Sequence, residues 1–141
     1  MSIESPRTRR FADVSSGEEL APLAIDVSAR LIVGAAIASR DYQDVHHDRA
    51  GAQALGSPDI FMNILTTNGL VGRYVTDWAG PEALLRAVKI KLGVPNYPGD
   101  RMELRGRVVA LEQRERLVEI EVGGKNSLGY HVTGTVTVAL P

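Results

Sequence analysis

Residues 60–78 form a stretch without proline in which apolar side chains cover much of a helical circumference. Ile60, Ile64 and Val71, with Phe61, Leu65 and Gly72, recur at helical spacing. Ser57 as a capping residue and Pro58 in the first turn predict where this helix starts, and Gly80 followed by Pro81 predicts where it stops. A helix that is apolar on several sides cannot lie on a wet surface, so something must wrap it. The remainder of the chain offers strands for that purpose. Residues 20–27 and 31–37 read as two short strands, and residues 41–55 as a polar loop entering a small helix that Gly56 ends. Residues 84–94, 102–111, 117–122 and 130–140 read as four antiparallel strands separated by turn-forming segments. The last alternates most regularly, with Val132, Gly134, Val136 and Val138 on one face and His131, Thr133, Thr135 and Thr137 on the other. The pattern predicts an α+β domain in which an antiparallel sheet encloses one long helix.

A length of 141 residues suits a single domain, expected over residues 20–141. Residues 1–19 carry only scattered apolar positions and are expected to form a flexible tail. A formal net charge of -1 gives no basic footprint, so nucleic acid is not an expected partner. Neither a membrane-spanning run nor the apolar core of a signal peptide follows the basic residues near the start, and a cytoplasmic location is expected. The absence of cysteine excludes disulfides, thiolate metal sites and cysteine nucleophiles.

Polar groups capable of chemistry concentrate between Arg40 and Asp48, where His46 and His47 stand among Asp41, Asp44 and Asp48. A carboxylate and an imidazole held around one water can polarise it, one accepting a proton while the other orients it. The same residues also fit a polar loop whose aspartates cap a helix and whose histidines are solvated. Spacing alone does not decide which Asp meets which His. Adjacent histidines converge poorly on one ion, and no metal site is expected.

Asp41 followed five residues later by His46, with Val45 in the aliphatic place, resembles the signature of the MaoC-like hydratases, although Gln43 and Asp44 replace that family's Asn-Pro. His46 to Asp48 resembles the family's His-x-Asp, residues 59–72 lie where its long central helix falls, and Pro95, Gly99, Asp100 and Gly106 match the residues that join two of its strands. The likeness extends over residues 20–140. It implies a hot-dog fold and hydration of trans-2-enoyl-CoA to (R)-3-hydroxyacyl-CoA. Asp41 and His46 would then hold the attacking water, and the backbone N–H of Asn63, where the family commonly has glycine, would stabilise the enolate oxygen. No cofactor is implied, since coenzyme A is part of the substrate.

Within the family, residues 40–49, 59–80 and 92–95 are similar to the small subunit of heteromeric hydratases of bacterial steroid side-chain degradation, in which a second MaoC-like subunit lacks the Asp-His pair. A homodimeric (R)-specific hydratase of linear acyl-CoA, a hot-dog thioesterase and a non-catalytic acyl-CoA-binding subunit stay open beside it. Candidate substrate contacts are Phe61 and Asn68 toward the acyl thioester and Lys89 and Lys91 toward the coenzyme A phosphates, with Arg86 and Lys125 as further cations. Each has a plain alternative: the aromatic as core, Asn68 and Thr67 as helix-to-sheet hydrogen bonds, and the lysines as a solvated strand face. His131, alone on its strand face, is left out of the site.

Overall fold

The computed structural model describes residues 7–141. An antiparallel five-stranded sheet, in the order β1-β3-β4-β5-β2, curls around a long helix. The strands are β1 (Glu19–Val27), β2 (Leu84–Leu92), β3 (Asp100–Glu112), β4 (Leu117–Asn126) and β5 (Gly129–Ala139); the helices are α1 (Ala29–Ala38), α2 (Arg49–Ala54) and the long α3 (Ile64–Ala79). This is the hot-dog arrangement. Val71, Tyr74, Val75 and Ala79 of α3 pack into a core whose opposite wall is Met102, Leu104, Val108, Val118, Ile120, Val136 and Val138. Valine and isoleucine at every second strand position suit that wall, because alternate side chains of a pleated strand share one face.

Residues 31–37 are helical, not a strand. Ser28 caps α1 by accepting a hydrogen bond from the Leu31 N–H at 3.0 Å, and alanines at 29, 35, 36 and 38 favour the helical backbone. Ile32 and Ala36, four residues apart, form its buried stripe. β-Branched residues suggested a strand, but the cap and the four-residue spacing decide the matter.

The long helix starts later than Ser57 and Pro58 suggested. Phe61 donates its N–H to the Val45 carbonyl and Met62 donates to the Asn96 carbonyl, at 3.0 and 3.1 Å, so these groups serve loop-to-loop bonds instead of a helical turn. Asn63 is the actual cap, accepting from the Thr66 N–H at 3.0 Å. Enclosure is also one-sided: Ile64 and Leu65 are 52% and 50% exposed, and Asn68 and Gly69 continue that open face.

The expected flexible tail needs correction for residues 7–19; residues 1–6 lie outside those described. Phe11 and Val14 join the core. Backbone bonds run from Arg9 N–H to the Ala79 carbonyl, from Phe11 N–H to the Pro141 carbonyl and from Gly17 N–H to the Val108 carbonyl, while the Arg9 guanidinium lies 4.7 Å from the Trp78 ring centroid. Two buried apolar side chains among many polar ones are enough to seat this segment over the end of α3.

In β5 the pairing with β4 slips between Gly124↔Val132 and Lys125↔Tyr130, leaving His131 as the extra residue of a bulge. The slip turns His131 inward, against the simple alternation. Thr67 of α3 donates to its Nε2 at 2.7 Å, and its Nδ1–H donates to the Val94 carbonyl at 2.7 Å.

Candidate active site

The site is assembled where α1 ends and α3 begins. Ser39, at the C-terminus of α1, donates its hydroxyl back to the Ala35 carbonyl at 2.8 Å. Arg40 then adopts a left-handed backbone, φ 57°, and the Asp41 N–H closes on the Ala36 carbonyl at 2.9 Å. This tight exit fixes Asp41 relative to α1. A short 3-10 turn, Asp44–His46, brings His46 back toward it.

His46 is 6% exposed. Its Nδ1 lies 2.7 Å from the Phe61 carbonyl oxygen, which can only accept, so Nδ1 carries hydrogen in every protonation state. In the neutral ring Nε2 therefore offers a lone pair, and it points at Asp41 Oδ2, 3.4 Å away. Two acceptors at that separation are reconciled either by a proton on Nε2 or by a water that donates one hydrogen to each. The Phe61 ring supports the imidazole edge-on, with centroids 5.0 Å apart, and meets the Tyr97 ring in turn at 6.5 Å.

Asn63 completes the arrangement. Its Nδ2 donates to Asp41 Oδ2 at 3.0 Å and to Ser39 Oγ at 3.0 Å. The amide donor holds the Asp41 carboxyl below its ordinary value of 3.8, with partial burial opposing the shift and the Gln43 N–H and His46 assisting it. The lowered pKa favours the ionised aspartate.

Both readings of the Arg40 to Asp48 segment are realised, each by different residues. Asp48 caps α2 by accepting from the Ala50 N–H at 3.0 Å, and His47 is exposed, 3.9 Å from Asp44. Asp41 and His46 are the pair with reactive geometry. Among the described residues no group of three or more His, Cys, Asp or Glu is arranged to hold a metal ion.

The other candidates fall in different places. Phe61 touches the site through its ring and carbonyl. Asn68 is exposed on α3, and the side-chain amide that reaches Asp41 is that of Asn63. Thr67 makes the helix-to-sheet bond to His131. Lys89 and Lys91 pair with Thr135 and Thr133 and are exposed, while Val88, Ile90 and Leu92 between and beside them pack against the core. They stand on the sheet face turned away from α3, so this chain does not bring them to its own Asp41 and His46. A depression of about 810 Å³ on that outer face, lined by Arg105, Arg107, Glu121, Lys125 and Tyr130 among others, is likewise separate from the pair.

The side chains of Asn63 and Ser39 were not anticipated as parts of the site. An Asn immediately before an apolar helical stretch was the available signal, hidden by the stronger capping pattern at Ser57.

A hot-dog sheet around one helix, with an Asp-His pair at that helix's N-terminus, defines a MaoC-type hydratase architecture. The chain belongs to the MaoC-like hydratase family. It is 53% identical, over 109 residues that cover 77% of this chain and 83% of the relative, to the 3-oxo-4,17-pregnadiene-20-carboxyl-CoA hydratase beta subunit of Mycobacterium tuberculosis. Among solved structures it resembles a chain of the ChsH1-ChsH2 complex from M. tuberculosis, with TM-score 0.87 and 48% identity over 90% of this chain and 98% of that one. It also resembles a MaoC-like dehydratase, with TM-score 0.87 and 25% identity over 97% of this chain and 44% of that longer one. No protein-family model matches the chain.

Proposed function

We propose that this chain is the Asp/His-bearing subunit of a heteromeric enoyl-CoA hydratase acting on a steroid side-chain thioester. The observation that carries the reading is the approach of His46 Nε2 to Asp41 Oδ2 at 3.4 Å, with the far side of the imidazole anchored on a carbonyl. A water donating to both groups has its oxygen lone pair free for C3 of a conjugated enoyl thioester. As the C–O bond forms, His46 takes a water proton and the C2–C3 π electrons move toward the thioester carbonyl; the His46 imidazolium then gives its proton to C2, which restores the neutral ring. Negative charge develops on the carbonyl oxygen during the addition. The N–H of Asn63, at the start of α3, is the donor we assign to it; it has no hydrogen-bond partner among the described residues. The reaction consumes only water and needs no cofactor, coenzyme A being carried by the substrate. Phe61, beside His46, and the exposed Asn68 are the contacts we assign to the acyl thioester.

The need for a second subunit is supported by the open side of the molecule. Ile64 and Leu65 on α3 and Leu84 and Leu85 on β2 are each about half exposed, and β2 is an edge strand with one side unpaired. A partner MaoC-like subunit would cover these exposed apolar side chains and pair with the free edge of β2. No helix among the described residues is long and apolar enough to cross a membrane, and a cytoplasmic setting suits a coenzyme A thioester.

The test is loss of enoyl-thioester absorbance with the chain alone and with a second MaoC-like subunit, on steroid and on linear enoyl-CoA. Steroid turnover that requires both subunits is expected. Strong turnover of crotonyl-CoA by the chain alone, with no steroid activity even in the presence of the partner, would replace the steroid assignment by a homodimeric linear-chain hydratase. Release of free coenzyme A without hydration would identify a thioesterase.

A further inference from the structure

We infer that Asn63 is a positioning residue whose side chain locks Asp41 to the first turn of α3, so that the acid-base geometry and the start of the central helix form one mechanical unit. The inference rests on the hydratase reading for its kinetic consequences, but its structural core is independent of the substrate.

The orientation of the Asn63 amide is decided by its partners. Its Oδ1 meets both the Thr66 N–H at 3.0 Å and the Thr66 hydroxyl. A backbone N–H can only donate, so the atom facing it must be the oxygen. The NH2 group is thereby turned to the other side, where one bond goes to Asp41 Oδ2 and the other to Ser39 Oγ. Asn63 is 1% exposed, so water does not substitute for these bonds. The clamped oxygen of Asp41 is the one that faces His46 Nε2. Among the described residues the other, Oδ1, has only a long contact of 3.4 Å from the Gln43 N–H. Asn63 therefore fixes the carboxylate rotamer and selects which oxygen meets the imidazole.

Three chain segments meet on this amide: the end of α1 through Ser39, the loop through Asp41 and the first turn of α3 through Thr66. The titratable group facing Asp41 from the 3-10 turn is His46. Asp44 and His47 pair with each other toward solvent, Arg40 is exposed beside the chain reversal, and the polar side chains offered by α1 and α3, Ser39 and Asn63, do not titrate. Removing the amide donor should therefore act on Asp41 itself.

Asn63→Ser keeps a capping oxygen for the Thr66 N–H but replaces the NH2 group that reaches both Asp41 and Ser39 by one shorter hydroxyl; Asn63→Asp keeps the cap and sets a carboxylate against Asp41. Both are to be measured in the assembled complex with enoyl-CoA as probe. In Asn63→Ser, kcat is expected to fall ~10–100-fold, the loss of a hydrogen bond to a charged group, with KM little changed. The acid limb of the pH profile should move to higher pH, because an Asp41 without its amide donor protonates more readily. Asn63→Asp should lose more. A ¹³C titration of the Asp41 carboxyl, read without turnover, should show a raised midpoint in Asn63→Ser relative to the unaltered protein. Folded, assembled variants with unchanged kcat, acid limb and Asp41 midpoint would overturn the inference. Absence of hydration in the unaltered complex would instead defeat the hydratase reading, and the carboxyl titration would still decide whether the clamp exists. Should Asn63→Ser fail to assemble, the titration of Asn63→Asp and of the unaltered protein decides: an Asp41 midpoint at or above its ordinary value in the latter refutes the clamp.

Discussion

The Phe61 carbonyl, 2.7 Å from His46 Nδ1, determines which nitrogen of the imidazole is free for chemistry. Phe61 is available for this because its own N–H is tied to the Val45 carbonyl, one residue before His46, at 3.0 Å. The segment entering α3 and the 3-10 turn thus clasp each other, and the His46 ring is held between them.

Removing either member of the pair should abolish most hydration. We expect Asp41→Asn and His46→Ala each to lower kcat by about 10²–10⁴-fold, the usual contribution of a general acid or base. Thermal unfolding should show that both variants remain folded. His47→Ala, altering an exposed ring 3.9 Å from Asp44, should leave the rate nearly unchanged. Near-normal turnover by folded Asp41→Asn would mean that the water is activated elsewhere.

A charge on the open apolar strip should separate assembly from folding. Leu65→Glu and Leu85→Glu change side chains that are 50% and 46% exposed, so each single chain should fold. Sedimentation is expected to show loss of the complex, with steroid turnover lost in parallel. Intact assembly in both variants would place the partner on another face.

His131 should make the fold acid-sensitive as pH falls below 6.5. Burial holds its pKa below the ordinary 6.5, with the bond to the Val94 carbonyl partly opposing the shift. The unfolded chain then binds a proton more readily than the folded one. The neutral ring's contribution is complete above pH 6.5 and is lost as pH falls from there toward the depressed folded value. Tm measured from pH 8 to pH 5 should decline in the unaltered protein. His131→Gln should start lower and decline less over the same interval; equal slopes would remove His131 as the cause.

Two glycines should respond in opposite directions to alanine. A Cβ at Gly134 would fall 2.1 Å from the Lys89 carbonyl oxygen, so β2 and β5 must separate and Tm should drop strongly. A Cβ at Gly69 meets nothing within 4 Å. In the single chain, Gly69→Ala should raise stability by about 0.5–1 kcal/mol through helix propensity. Denaturant titration of both variants checks the pair.

The architecture was largely legible in the sequence, and the reasons are specific. Alternating valines in β4 and β5 and the apolar body of α3 each serve a single surface, so their periodicity survives in the chain. Residues 31–37 were misread because Leu, Ile and Val suit either element until the Ser28 cap and the Ile32–Ala36 stripe are considered together. The beginning of α3 was placed too early because the bonds that keep residues 61 and 62 extended come from Val45 and Asn96, distant in sequence. The pairing of Asp41 with His46 came from family resemblance, whereas their spacing left the partners open. The Asn63 amide lay beyond both, since its role depends on Ser39 and Asp41 returning to the same point in space.

No strand contains Asp41, His46 or Asn63. The sheet pairs through β1-β3-β4-β5-β2 with no strand from the excursion between β1 and α3, and the exposed Ile64 and Leu65 follow directly on Asn63. On the proposed reading, reactivity and adhesion are encoded in adjoining but separate stretches of chain. After a gene duplication, one copy could forfeit its chemistry by drift in a few loop codons and still fold and dock, leaving its cleft free to be reshaped for bulk while the other copy retained the acid and the base.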